Sequence, residues 1–88
     1  MNYEDIIDML NNKLLRKVFS AKYIDDTITK EIGCKSALND TTEEKIIEDM
    51  AIKYKYNNII LYIEVIYLDM LLNTKEKLFK VNDIYFTT

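Results

Sequence analysis

The sequence contains no histidine, no proline and no tryptophan, and it has a single glycine, Gly33, and a single cysteine, Cys34. Without histidine the chain lacks the commonest general base and the commonest metal ligand, and Ser-His and Cys-His nucleophile pairs are excluded. One cysteine builds neither an internal disulfide nor a thiolate zinc site. One glycine is too few for a phosphate-binding loop. We therefore expect a protein that is not an enzyme and that uses no metal or other cofactor.

The scarcity of glycine and proline also bears on the fold, because tight turns and β-bulges depend on these two residues. Their scarcity predicts a mainly α-helical protein. With 88 residues, of which 49% are apolar and 31% charged, the chain has the composition of one small globular domain spanning residues 1–88.

Codon usage and charge suggest an origin and a location. Lys, Ile, Asn and Tyr, whose codons are AT-rich, supply 39 of the 88 residues. We infer an AT-rich genome, such as that of a phage, a virus or a mobile element. Acidic residues occupy the positions where a secretory signal would be basic. We therefore expect a cytoplasmic protein, located in the host cytoplasm if it is phage or viral.

The spacing of apolar residues predicts three to four helices, which would form a small helical bundle. The expected helical ranges are 3–19, 25–32, 42–56 and 58–73. Asn2 is a suitable N-cap for the first, and Gly33 suits the left-handed position that ends the second. The C-terminal residues 78–81 and 84–87 flank Asn82-Asp83, so a short β-hairpin is expected there as an option.

The segment YKYNNIILYIEVIYLDMLL, residues 54–72, is the most apolar part of the chain. Its run from Ile59 to Leu72 holds fourteen residues with two acids inside it, whereas a membrane span needs ~20 predominantly apolar residues. We therefore expect no membrane contact. A helix over 58–73 is favoured because strict alternation is missing, and a strand over 58–68 is the alternative.

A helix that is apolar almost all round must be covered on most sides, either by the protein's own core or by another chain. We expect it to self-associate as a homo-oligomer or to dock a partner protein, with tyrosines among the contacts. The expected interface residues are Tyr54, Tyr56, Leu61, Tyr62, Val65, Tyr67, Leu68 and Leu72. Under this interpretation the protein would be an inhibitor, an adaptor or a small structural subunit.

The stretch KLLRKVFSAK, residues 13–22, is the strongest basic feature of a chain whose net charge is −3. It contains no acid, so it could contact phosphates or an acidic partner surface. The residues concerned are Lys13, Arg16, Lys17 and Lys22. The alternative is the solvated end of an amphipathic helix.

The stretch TITKEIGCKSALND, residues 27–40, resembles the turn region of helix-turn-helix DNA-binding proteins over those fourteen residues. The resemblance rests on a helix that ends in Ile32 and Gly33 before a second apolar pair. It implies a DNA-binding regulator that uses residues 25–40, with Lys35, Ser36 and Asn39 facing the DNA. Acidic residues follow directly and would repel phosphate, so nucleic acid is the second expectation after a protein partner.

Overall fold

The computed structural model describes residues 2–68 and 76–87. Within these residues the chain has an α+β fold, with 43% helix and 37% strand. The prediction of a mainly α-helical bundle is therefore wrong. The helices are α1 (Tyr3–Leu14), α2 (Ala21–Ile32), the single 3-10 turn η1 (Ala37–Asn39) and α3 (Glu43–Asp49). The strands are β1 (Val18–Ser20), β2 (Ala51–Tyr56), β3 (Ile59–Leu68) and β4 (Leu78–Thr87).

The four strands form one antiparallel, curled sheet in the order β1-β4-β3-β2. The long strands β3 and β4 lie at its centre, and β2 and the short β1 lie at its two edges. Helices α1, α2 and α3 pack with the inward side chains of the strands around one core. The fold is thus a sheet with helices on one face, which leaves the side chains of the other face outside this core.

Helix α1 begins where the sequence predicts and ends earlier. The side chain of Asn2 accepts a hydrogen bond from the N–H of Asp5 at 2.8 Å, which confirms the predicted N-cap. The helix ends at Leu14 rather than Phe19, and Arg16 adopts a φ of 63°. The N–H of Arg16 then donates to the carbonyl of Val81 at 2.8 Å. Pairing with β4 thus turns the predicted last helical turn into strand β1.

Helix α2 begins at Ala21, four residues before its predicted start, because Ser20 serves as the N-cap. The Ser20 hydroxyl accepts a hydrogen bond from the N–H of Tyr23 at 3.1 Å. The predicted end is confirmed, since Gly33 is in the left-handed region with a φ of 70°. Local capping chemistry therefore fixes both ends of this helix.

The predicted helix over 42–56 is a short helix followed by a strand. Helix α3 ends at Asp49, and Met50 takes a left-handed φ of 56°. From residue 51 the chain is strand β2, in which Ile52 and Tyr54 are buried while Lys53 and Lys55 are exposed. This alternation has the period of two that belongs to a half-buried strand.

The predicted helix over 58–73 is also wrong where the structure describes it, because residues 59–68 form strand β3. Leu61, Ile63 and Val65 point into the core. The intervening side chains are mostly apolar too, which hides the alternation from a sequence pattern. Isoleucine, valine and tyrosine favour strands, and here pairing with β2 and β4 satisfies the backbone on both sides. Residues 69–73 of the predicted helix lie outside the described residues.

The predicted C-terminal hairpin is instead the single continuous strand β4. Asn82-Asp83 does not form a turn. Glu64 pairs with Asp83, and the next residue, Val65, pairs with Val81, so Asn82 is the extra residue of a β-bulge. The two-residue turn lies elsewhere, at Asn57-Asn58 between β2 and β3, where Asn57 has a φ of 56°.

The core is a single cluster to which helices α1, α2 and α3 and strands β2, β3 and β4 contribute. Its buried members are Ile6, Leu10, Leu14, Ala21, Ile24, Ile28, Ile46, Ile52, Tyr54, Leu61, Ile63, Val65, Phe79, Val81 and Ile84. Among the described residues, no helix combines the length and the hydropathy needed to cross a membrane.

Candidate functional site

A buried carboxylate, Asp25, organises one end of the molecule. Its side chain lies on the inward side of α2 and is 3% exposed, the one buried charged residue in the described part of the chain. Asp25 Oδ1 accepts hydrogen bonds from the backbone N–H of Ala37 at 2.9 Å and from the Tyr54 hydroxyl at 2.8 Å. Asp25 Oδ2 accepts from the Ser36 hydroxyl. One carboxylate therefore ties α2 to strand β2 and to the segment that contains η1.

The burial of this network changes the acidity of its neighbours. The pKa of Tyr54 is raised far above the usual value for tyrosine, first by desolvation and then by the charge of Asp25 and the hydrogen bond to it. Desolvation also raises the pKa of the Cys34 thiol. Tyr54 therefore stays protonated and donates its hydrogen bond to Asp25 throughout the physiological pH range.

A cleft of about 540 Å³ lies beside this network. One wall is strand β2 and the start of β3, and the other is the segment 35–41 around η1. The two walls, together with the end of α3, contribute three lysines, two aspartates and three hydroxyl groups. The lining residues are Lys35, Ser36, Ala37, Asp40, Thr41, Asp49, Ala51, Lys53, Tyr54, Lys55 and Ile60. Because Asp25 bonds to Ser36, Ala37 and Tyr54, it holds both walls of the cleft in place.

The groups that line this cleft are mainly hydrogen-bonding and charged. The Ser36 and Tyr54 hydroxyls both donate to Asp25, so the carboxylate lies behind them rather than open to a substrate. Among the described residues, no group of three or more acidic or thiol side chains is arranged to hold a metal ion. The cleft offers backbone groups, hydroxyls and ammonium groups to whatever binds there.

A second surface is the outer face of the sheet, which we define as the face opposite the helices. The rings of Tyr62 and Tyr85 lie opposite each other on β3 and β4 and stack with 5.4 Å between their centroids. The Lys53 ammonium nitrogen lies 5.5 Å from the centroid of the Tyr62 ring. Towards the other end of this face, Ile66 is 37% exposed and Val18 is 41% exposed.

Charged residues of both signs surround these apolar side chains on the outer face. Glu64 and Asp83 are paired across β3 and β4, next to the two tyrosines, and Lys80 lies between Ile66 and Val18 in the register of the strands. Desolvation, followed by the charge of Glu64, raises the pKa of Tyr85. The face is thus an apolar strip with mixed charges around it.

The structure divides the predicted interface residues into three groups. Tyr54, Leu61 and Val65 are buried in the core. Tyr56 and Tyr67 are partly buried and pack against the core, whereas Tyr62 and Leu68 are half-buried with Tyr62 on the outer face. Leu72 lies outside the described residues. The three core members are therefore not available for direct contact with another molecule.

The predicted basic residues lie around the turn between α1 and α2 and make intramolecular contacts. Lys13 forms an ion pair with Glu31 at 3.4 Å, and Lys22 forms one with Asp26 at 2.7 Å. The Lys17 ammonium group donates to the carbonyl of Asn12 at 3.1 Å. Arg16 is exposed at the turn.

The segment that resembles a helix-turn-helix contains one α-helix and no second one. Residues 34–36, after Gly33, have no regular secondary structure, and residues 37–39 form only the 3-10 turn η1. Ser36 donates to Asp25, Lys35 lines the cleft, and Asn39 is exposed. The segment thus forms a wall of the cleft and presents no recognition helix.

Sequence reasoning missed Asp25 and Tyr85 as organising residues. Asp25 lies beside Ile24 and three residues before Ile28, within an apolar stripe. An acidic residue within such a stripe is a signal of a buried carboxylate with partners. The pairing of Tyr85 with Tyr62 depends on the strand register, for which the local sequence gives no signal.

No family model, curated protein or solved structure matches this chain. The function proposed below therefore rests on the residues and contacts described above.

Proposed function

We propose that this protein is a small, non-enzymatic protein-binding protein that associates through the outer face of its sheet. The observation that carries the proposal is the stacked pair Tyr62–Tyr85 with Ile66 and Val18 on the same uncovered face. Tyrosine is enriched at interface hot spots because it supplies apolar area and one hydrogen bond.

A second copy of the chain is the occupant that the charges favour. In an isologous interface the same patch meets itself, so it must carry charges that complement each other. The outer face carries Lys53 and Lys80 together with Glu64 and Asp83. Attraction between these opposite charges would fix the orientation of the two copies.

The size of the face suits a weak dimer. Strands ~4.8 Å apart with a rise of ~3.3 Å per residue give the outer face an area on the order of 500 Å². Two copies would bury about 1,000 Å², the lower limit for a specific interface. We therefore expect association that depends on concentration.

The biological setting remains that inferred from the sequence. An AT-rich phage, virus or mobile element would encode a small inhibitor, adaptor or structural subunit that works in the host cytoplasm without a cofactor. A binding face on a domain of this size is compatible with each of these three roles.

The proposal is tested by the solution mass of the protein, measured by size-exclusion chromatography with light scattering over about a hundredfold range of protein concentration. We expect the mass to rise from that of a monomer towards that of a dimer. The double variant Ile66→Thr/Tyr85→Thr keeps strand-forming residues, removes exposed apolar area and should weaken the dimer about tenfold or more. Tyr23→Gln is the matched control, because Tyr23 is 53% exposed but lies on α2.

A monomer at every concentration would exclude self-association and leave a different protein as the occupant. Capture from host lysate would then compare the unchanged protein, the double variant and Tyr23→Gln. A protein that is captured by the first and third but lost with the double variant would support docking on the outer face. Equal capture by all three would contradict the proposal.

A further inference from the structure

Strand β2 presents free backbone groups along the cleft. The N–H of Val65 donates to the carbonyl of Met50 at 3.0 Å, and these two residues stand opposite each other, directly before the pair Ala51–Glu64. Hydrogen-bonded and non-hydrogen-bonded pairs alternate along an antiparallel ladder. Every second residue from Met50 therefore bonds to β3, and the residues between them turn their N–H and C=O groups outwards. These outward residues are Ala51, Lys53 and Lys55.

Strand β2 has no strand beside it on this outward side among the described residues. Within residues 2–68 and 76–87, no backbone hydrogen bond from another element reaches Ala51, Lys53 or Lys55. Ala51 is buried, whereas Lys53 and Lys55 are exposed. Three outward residues span about 13 Å at ~3.3 Å per residue, which is long enough to pair with about five residues of another strand.

The cleft beside this edge is formed before any ligand binds. Its far wall, the segment 35–41, is fixed because Ser36 and Ala37 both donate to Asp25, and the near wall is fixed because Tyr54 donates to the same carboxylate. A binding site that is already ordered loses less conformational entropy when a ligand enters.

The charge of the cleft favours an acidic ligand. Lys35, Lys53 and Lys55 line it together with Asp40 and Asp49. Asp49 is already neutralised, with Lys45 at 3.2 Å and Lys53 at 3.8 Å. The cleft therefore carries an excess of positive charge in a chain whose net charge is −3.

A second copy of the same edge is a poor occupant. In an antiparallel pairing of β2 with another β2, the exposed lysines of one copy would face those of the other, and like charges on facing strands are destabilising. Lysines on an edge strand commonly prevent such self-pairing. The carboxylates of an acidic segment would instead be attracted by the same lysines.

From the open backbone edge, the ordered cleft and its lysines, we infer that β2 binds an extended acidic segment of another protein. The segment adds to the sheet as a further antiparallel strand, and its carboxylates lie near Lys35 and Lys55. Main-chain hydrogen bonds supply affinity in this mode of recognition, and the side chains supply specificity. This site uses the backbone edge of β2 and the cleft beside it, whereas the proposed function rests on the outer face; Lys53 and Ile60 lie where the two adjoin.

The test uses the full chain labelled with ¹⁵N and three synthetic peptides with blocked ends, followed by NMR titration. Ac-EVEVE-NH₂ provides an acidic strand, Ac-KVKVK-NH₂ reverses its charge, and Ac-EVPVE-NH₂ keeps the charge but loses a backbone donor and strand geometry at the proline. We expect the first peptide alone to shift the amide signals of Ala51, Lys53 and Lys55, with an affinity that falls as salt is added.

The variant Lys35→Glu/Lys55→Glu should weaken binding of the acidic peptide about tenfold, since each reversed charge replaces attraction to the peptide carboxylates with repulsion. Lys30→Glu is the matched control, because it reverses an exposed lysine on α2 that belongs neither to the cleft nor to the outer face, and it should leave binding unchanged. Absence of binding by the acidic peptide, equal binding of the proline or lysine peptide, or equal weakening by Lys30→Glu would each overturn the inference.

Discussion

Two replacements of Asp25, by Asn and by Ala, should distinguish how much its hydrogen bonds and how much its charge contribute to the free energy of unfolding. In Asp25→Asn the amide oxygen can still accept from the Ala37 N–H and the Tyr54 hydroxyl, both of which bond to Oδ1. The amide nitrogen would then face Ser36, whose hydroxyl can rotate and accept instead of donate. Every member of the network would keep a partner.

The free energy of unfolding should therefore fall only modestly in Asp25→Asn. Hydrogen bonds to a charged group contribute ~1.5–3 kcal/mol each, against ~0.5–1.5 kcal/mol for neutral ones, so three bonds would lose about 3 kcal/mol. Burial of a neutral amide costs less than burial of a carboxylate, which offsets part of this loss. We expect a net loss of about 1–2 kcal/mol.

Asp25→Ala should be much more destabilising, because it leaves the Tyr54 hydroxyl and the Ala37 N–H without an acceptor. Tyr54 is only 3% exposed, so water cannot replace the lost bond easily. Two unsatisfied donors at ~1–3 kcal/mol each and the lost volume give a cost of about 3–5 kcal/mol.

Urea denaturation at neutral pH, followed by circular dichroism, measures both variants against the unchanged protein. Ser20→Ala is a useful control, since it removes a helix cap at ~1 kcal/mol without touching the network. If Asp25→Asn and Asp25→Ala lost the same stability, or if Asp25→Ala lost less than about 1 kcal/mol, the network would not carry the stability assigned to it.

Two further predictions concern pH and backbone strain. The pKa of native Tyr54 lies above the unfolded value near 10, so the stability that its hydroxyl contributes is present below pH 10 and is lost above it by ~1.4 kcal/mol per pH unit. Tyr54→Phe should therefore remove this part of the fall in the free energy of unfolding at alkaline pH, as measured by urea titrations. An unchanged slope would contradict the burial of the hydroxyl. Gly33→Ala should lower the free energy of unfolding by about 1 kcal/mol through backbone strain alone, since φ is +70° and no atom lies within 4 Å of the added carbon. Thermal unfolding measures this loss. A loss of several kcal/mol would indicate a steric clash instead.

Local chemistry explains which parts of the fold could be predicted. Asn2 and Gly33 act within one helical turn of their own positions, so their roles as caps follow from the nearby sequence. The ends set by tertiary contact were missed. Helix α1 ends early because Arg16 and Lys17 bond to Val81, more than sixty residues away in the chain.

The strands β2 and β3 were misassigned for a different reason. In AIKYKY, residues 51–56, the alternation of apolar residues with lysine is clear, but it follows directly on the helical stripe of α3. In β3 the outer face carries Ile60, Tyr62 and Ile66, so both faces are apolar and a helical pattern fits equally well. Only pairing with the neighbouring strands distinguishes a strand from a helix here. The sequence did not predict this pairing, because it indicated two short strands in place of β4.

The candidate site also has one part that the local sequence indicates and another that depends on tertiary contacts. The acidic residue Asp25 in an apolar stripe could have been recognised from the sequence. The cleft could not, because it exists only when segment 35–41 lies against the edge of β2. The stacking of Tyr62 on Tyr85 likewise depends on a register that a one-residue slip would destroy.

The bulge at Asn82 explains why the sequence pattern of β4 does not read as one regular strand, and how β4 still buries its apolar side chains. Val81 and Ile84 are three residues apart and would face opposite sides of a regular strand, yet both are buried because Asn82 is the extra residue between their pairs. Deletion of Asn82 would leave these two apolar residues two positions apart, with the pairing to β3 intact. We therefore expect the deletion to keep the fold and to reduce only the local twist.

Deletion of Lys80 makes the opposite prediction, although it also removes one exposed polar residue from β4. Phe79 and Val81 would become neighbours, so one of these two fully buried side chains would have to leave the core or the register would slip. The shortened protein should lose its cooperative unfolding transition, whereas the Asn82 deletion should keep it. If both deletions unfolded the protein equally, the register of β4 around the bulge would be wrong.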